Sequence, residues 1–68
     1  MKLMEAINAV MSYLVRQQTL FTLNRAWEVT EAHFRVSVHQ YQPENTNRVF
    51  DVIPTDVADC WNVVEVAI

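Results

Sequence analysis

Residues 33–41 read HFRVSVHQY, and this stretch decides the fold class because its apolar and polar residues alternate. Phe34, Val36 and Val38 occupy every second position, and successive side chains of a β-strand point to opposite faces. The alternation predicts a strand with these residues in the core and the intervening ones on a solvated face.

The residues that follow predict a hairpin partner for this strand. Residues 42–47 (QPENTN) combine a proline with asparagines, which is typical of a turn, and residues 48–53 (RVFDVI) resemble a second strand that Pro54 closes. We therefore expect an antiparallel hairpin with a loop of several residues.

The segment before residue 30 fits two kinds of structure. Residues 19–29 (TLFTLNRAWEV) are rich in β-formers, which favours a strand. As a strand, one side would carry Thr19, Phe21, Leu23, Arg25, Trp27 and Val29. As a helix, one face would carry Leu20, Leu23 and Trp27, and this alternative stays open.

Residues 2–17 have the periodicity of an amphipathic helix. Glu5 lies in its first turn and Arg16 in its last, each with the sign that the helix dipole favours. The apolar stripe consists of Leu3, Ile7, Val10 and Leu14, flanked by Met4, Met11 and Val15. The pattern predicts a helix that packs on the sheet.

The end of the chain also has two interpretations. Thr55 and Asp56 are N-cap residues that predict a short helix from Thr55 to about Trp61. Residues 62–68 are dense in β-branched side chains and predict a strand, although a continuous helix to the end is the alternative. The predicted fold is α+β, with an N-terminal helix on a small antiparallel sheet and a short C-terminal helix and/or strand.

Composition restricts the class of protein. The chain has 68 residues, enough for one domain (1–68), and its 51% hydrophobic content is high for so small an interior, which favours a homo-oligomer. The absence of glycine excludes Gly-rich phosphate loops, the dinucleotide-binding fingerprint and the glycine-framed nucleophile elbow. It also predicts that tight turns use Asn, Asp or Pro.

Cysteine content and hydropathy indicate the compartment. Cys60 is the only cysteine and is expected to be a buried thiol, which together with the lack of a signal-peptide pattern points to the cytoplasm. No apolar stretch reaches the ~20 residues of a membrane span, so no membrane association is expected.

Catalytic and metal-binding patterns are not found in the sequence. His33 and His39 share one face of the predicted strand at a separation of roughly 20 Å, too far to hold one metal ion. Local spacing suggests no Ser-His-Asp combination. We expect no enzyme activity, no metal and no cofactor.

The candidate binding residues lie on the polar face of the central strand. They are His33, Arg35, His39 and Tyr41, with Trp61 from the C-terminal segment as a further candidate. Arg and Tyr are enriched in interface hot spots. The sequence thus predicts a small protein-binding module, a regulator or inhibitor that occludes a larger protein, of the kind common among phage and mobile-element products by analogy of size alone.

The alternative is a nucleic-acid-binding regulator. It would use Arg25, Arg35, Arg48 and Tyr41, since an open sheet face with aromatic residues can stack bases. The net charge of −3 argues against this alternative, because nucleic-acid affinity depends on cations that neutralise phosphates. A helix-turn-helix over 19–41 fits poorly, because the second half alternates with a period of two.

Overall fold

The fold is one helix on an antiparallel sheet. The structure, a computed structural model, describes residues 2–57 and 60–66. Its elements are α1 (Leu3–Arg16), β1 (Leu20–Thr30), β2 (His33–Gln42), β3 (Thr46–Pro54) and β4 (Trp61–Val66). Each strand pairs antiparallel with the next, in the order β1-β2-β3-β4, and α1 packs against one face of the sheet. The predicted α+β architecture is confirmed.

The core lies between α1 and the two central strands. Phe34, Val36 and Val38 are at most 3% exposed, as the alternation in β2 predicts. Phe34 is the direct neighbour of Val52, and Val36 is the direct neighbour of Phe50. From α1 the core receives Ala6, Val10 and Leu14. Burial of these apolar side chains is what holds the helix on the sheet.

The buried stripe of α1 differs from the predicted one. It is centred on Val10 and includes Ala6, whereas Leu3, which we expected in the core, is 39% exposed and Ile7 is only partly buried. Leu3 is the first residue of α1. Ala6 was overlooked because a small side chain contributes little to an apolar pattern, yet it allows close approach of the helix to the sheet.

The helix begins and ends with local hydrogen bonds. The carboxylate of Glu5 accepts a hydrogen bond from the backbone N–H of Lys2 at 3.1 Å. At the other end Thr19 donates to the carbonyl of Leu14 at 3.1 Å, and Gln18 donates to the carbonyl of Val15 at 3.0 Å, which is the Schellman pattern.

Two tight turns use residues other than the predicted Asn, Asp or Pro. The helix-ending turn places Gln18 at a φ of 56°, in the left-handed region that glycine usually occupies. The turn between β1 and β2 consists of Glu31 and Ala32, and neither has a positive φ. The prediction is wrong at these two turns. Between β1 and β2 the pairing shifts at Val29, and no residue of that turn takes a positive φ.

Strand β1 is confirmed, but its side chains do not keep one phase. The register shifts between Leu23 and Arg25, so the strand carries a bulge at Asn24. Phe21 therefore packs on the core side, whereas Arg25 and Trp27 lie on the opposite face. The single face that we predicted for the odd-numbered residues is wrong, since one extra residue reverses the phase.

The predicted helix from Thr55 to Trp61 is not found. Thr55 and Val57 are non-helical and Trp61 begins β4, while residues 58 and 59 lie outside the described residues. The hydroxyl of Thr55 does accept a hydrogen bond from the N–H of Val57 at 3.2 Å, and the N–H of Thr55 donates to the carbonyl of Cys60 at 3.0 Å. Thr55, which the sequence predicted as a helix N-cap, thus makes its hydrogen bonds within the loop that joins β3 to β4.

Of the remaining C-terminal predictions, the strand is confirmed and the buried cysteine is wrong. Residues 62–66 form a strand as predicted, and residues 67 and 68 lie outside the described residues. Cys60 is exposed, so the expectation of a buried thiol is wrong. It lies in the loop between β3 and β4, where its N–H donates to the carbonyl of Val57 at 3.2 Å. Within the described ranges, no helix has the length and apolar character to cross a membrane.

Candidate functional site

The face of the sheet that points away from α1 is the candidate site, and we call it the open face. None of the elements in residues 2–57 and 60–66 packs over it. Its members follow from the register, because cross-strand neighbours share a face. They are Thr22, Arg25, Trp27 and Thr30 of β1, His33, Arg35, Ser37, His39 and Tyr41 of β2, Asn47, Val49, Asp51 and Ile53 of β3, and Asn62, Val64 and Val66 of β4.

An ion pair joins the two central strands on the open face. Arg35 and Asp51 are direct cross-strand neighbours, with Nε 2.7 Å from Oδ1 and Nη2 3.2 Å from Oδ2. The hydrogen bond from Arg35 lowers the pKa of Asp51 and raises the pKa of Arg35. Because the contact is bidentate and the carboxylate is only 14% exposed, the guanidinium has a defined orientation.

His33 lies beside this ion pair at the start of β2. Its Nε2 is 3.2 Å from Oδ1 of Asp51, within ion-pair distance. The N–H direction does not meet hydrogen-bond geometry, so this buried nitrogen has no hydrogen-bond partner among the residues that the structure describes. The carboxylate is already engaged by Arg35, and the imidazole packs next to that pair.

An aromatic cluster occupies the end of β2. The rings of His39 and Tyr41 meet edge to face with centroids 4.6 Å apart. Nδ1 of His39 is 2.8 Å from Oδ1 of Asn47, and the hydroxyl of Thr22 donates to that of Tyr41 at 3.4 Å. Tyr41 remains 45% exposed, so the ring is positioned but still available for contact.

Trp27, Ile53 and Val64 of the open face were absent from the predicted site, and Arg25 was named only for the nucleic-acid alternative. The guanidinium of Arg25 lies over the ring of Trp27, 4.8 Å from its centroid. Ile53 and Val64 are 41% and 49% exposed and add aliphatic surface. Arg25 and Trp27 are two residues apart, so the sequence indicated that they share one face of the strand. It could not indicate which face, because the bulge at Asn24 decides this.

Trp61 does not belong to this surface. It is the cross-strand neighbour of Pro54 and packs against the core on the α1 side of the sheet. The structure therefore brings together four of the predicted binding residues, His33, Arg35, His39 and Tyr41, and places Trp61 on the opposite face. The sequence predicted Trp61 at the end of a short helix, whereas in the structure it begins β4, so its face is set by the pairing with β3.

Arg48 is also on the α1 side, at one end of the sheet. It forms hydrogen bonds of 2.7 and 2.8 Å to the carboxylate of Glu65 and one of 2.8 Å to the side-chain oxygen of Gln40. The hydrogen bond from Arg48 lowers the pKa of Glu65. These side chains line a shallow groove of about 980 Å³ next to Gln17 and Thr19. Gln40 also donates to the carbonyl of Glu44, so its amide is satisfied at both ends.

The open face offers an ion pair, aromatic rings and aliphatic side chains. Among residues 2–57 and 60–66, no three His, Cys, Asp or Glu side chains are placed to hold a metal ion. Comparison with protein-family models, with curated proteins and with solved structures finds no match to this chain.

Proposed function

We propose that this chain is a non-enzymatic protein-binding module and that its open face contacts the partner. The observation that carries the proposal is the uncovered face itself. Trp27 and the exposed Val64 are the cross-strand neighbours of Arg35 and Asp51, and Tyr41 lies on the same face further along β2. Aromatic residues and arginine dominate the energetics of protein interfaces.

The hydrophobic core lies directly beneath the open face. The same strands form the core on their other side, with Phe50, Val36 and Val38 fully buried. Side chains on such a scaffold lose little conformational freedom on binding, which favours affinity. A small domain with one flat binding face suits a regulator or inhibitor that occludes a surface of a larger protein.

Charge pairing favours a protein partner over nucleic acid. Of the arginines expected to contact phosphate, Arg35 is paired with Asp51, and Arg48 is paired with Glu65 on the opposite face. Arg25 is the one of these that forms no ion pair within the described residues. The net charge of the chain is −3, and Arg35 of the open face is neutralised by Asp51, so few cations are left on this face to neutralise phosphates.

Capture from a lysate of the source cells tests the proposal. The double substitution His39→Ala and Tyr41→Ala removes the aromatic cluster, whose side-chain contacts are confined to the open face. Leu20→Ala is the matched control, because Leu20 is 57% exposed and lies across from Gln42, off the open face. Far-UV circular dichroism establishes that each variant is folded.

We expect a specific protein, identified by mass spectrometry, to bind the wild type and Leu20→Ala but not the double variant. Retention by the double variant would refute the assignment of the open face. Capture that disappears after nuclease treatment and weakens steeply with salt would establish the nucleic-acid alternative instead. Apolar protein contacts change little over the same salt range.

A further inference from the structure

The outward side of α1 carries an apolar stripe that the fold does not use. Met4, Met11 and Val15 are 64%, 41% and 63% exposed. Their spacings of seven and four place them on one side of the helix, about 120° around it from buried Val10. The stripe therefore points away from the sheet and is separate from the open face. Exposed methionines adapt readily to an opposing apolar surface.

We infer that two copies of this chain associate through this stripe, with their α1 helices antiparallel. In that arrangement Met4 of one copy packs against Val15 of the other, and the two Met11 side chains meet Asn8 of the opposite helix near the centre. A shallow depression of about 500 Å³ between Asn8, Met11, Ser12, Val15 and Arg16 gives an opposing side chain room to insert.

Charge complementarity identifies a second copy as the occupant and sets the direction. Glu5 and Arg16 lie on the same flank of the stripe, at opposite ends of α1. In an antiparallel pair related by a twofold axis, equivalent flanks face each other, so Glu5 of each copy meets Arg16 of the other. A parallel pair would instead place like charges at the same end, which disfavours it.

The area buried between the two helices indicates how tightly the copies associate. A helix of 14 residues is about 21 Å long. A pair of such helices covers less than the roughly 800 Å² per partner of a standard interface. We therefore expect a dissociation constant in the micromolar range. The two open faces would point outward in the dimer, so this inference does not depend on the proposed function.

Analytical ultracentrifugation of the full chain provides the main test. The wild type should pass from a 7.9 kDa monomer to a dimer between roughly 5 and 500 µM. Val15→Lys should raise the dissociation constant roughly tenfold or more, because the lysine would be buried against Met4 of the other copy. Val64→Lys is the matched control, since Val64 is 49% exposed on the open face, and it should leave association unchanged.

Two results would overturn the inference. One is a 7.9 kDa species throughout the concentration range. The other is dissociation by Val64→Lys but not by Val15→Lys, which would move the interface to the open face. Both substitutions are at exposed positions, so circular dichroism should show an unchanged fold.

A charge exchange tests the antiparallel geometry. Glu5→Lys alone places a lysine opposite Arg16, and Arg16→Glu alone places two carboxylates opposite each other, so each variant should associate more weakly than the wild type. An equimolar mixture of the two variants restores opposite charges at both ends and should form a heterodimer. A mixture that associates no better than its components would refute the pairing of Glu5 with Arg16.

Discussion

Phe50 is the residue through which the packing of this domain can be tested most directly. It is among the largest fully buried side chains, and its ring meets that of Tyr13 edge to face with centroids 5.6 Å apart. The guanidinium of Arg48 lies over the same ring at 5.1 Å. Phe50, a residue of β3, therefore contacts both Tyr13 of α1 and the guanidinium of Arg48.

The size of the domain determines which substitution is informative. Phe50→Ala should cost about 3–5 kcal/mol of unfolding free energy. A domain of 68 residues has roughly 3–10 kcal/mol in total, so the alanine variant is expected to be largely unfolded. Phe50→Leu keeps most of the apolar volume but removes the ring. We expect it to cost about 1–3 kcal/mol, the sum of imperfect packing and a lost aromatic pair.

A double-mutant cycle separates these contributions. Urea unfolding of Phe50→Leu, Tyr13→Leu and the double variant, followed by tryptophan fluorescence and circular dichroism, should give a coupling energy of about 0.5–1.5 kcal/mol. A cost below about 0.5 kcal/mol for Phe50→Leu is the range of surface substitutions and would refute the placement of Phe50 in the core. A coupling of zero would show that the ring contact with Tyr13 contributes nothing beyond burial.

Three further outcomes follow from individual sites. Gln18→Gly should raise the unfolding free energy by about 1 kcal/mol in urea titrations, because glycine removes the penalty of a left-handed φ; a loss would contradict the turn geometry. Native Cys60 should react rapidly with a small alkylating reagent, since it is exposed; protection until unfolding would contradict this. The pKa of Asp51 is lowered by Arg35, so its contribution to stability is present above about pH 4 and lost as pH falls through the folded-state pKa. Asp51→Asn should thus be less stable than wild type at pH 5, by a margin that shrinks toward pH 2.

Each misplaced part of the fold has a physical cause. Thr55 offers the hydrogen bonds of a helix start, but the same hydroxyl also serves a loop, and the β-branched residues after Trp61 favour β4. Cys60 was expected in the core because free cysteine is usually buried, but it lies in the loop between β3 and β4 and is exposed. The bulge at Asn24 has no strong sequence signal, because it is set by how β1 pairs with β2.

The candidate site was predictable only in part. His33, Arg35, His39 and Tyr41 share a face because alternation along one strand is a local property. The partner of Arg35 is Asp51, which is 16 residues away and reaches it only through the β2–β3 register. Neither the ion pair nor the contribution of β1 and β4 to the open face is contained in any local pattern.

The sequence by itself determined the elements whose causes are local, namely α1, the two faces of β2 and the hairpin to β3. These follow from periodicity and backbone preference within a few residues. The tertiary structure alone decided which arginines are neutralised, where the bulge turns Trp27 outward and on which side Trp61 lies. Those features depend on register and on contacts between distant residues, and a one-residue change in register moves a side chain to the other face.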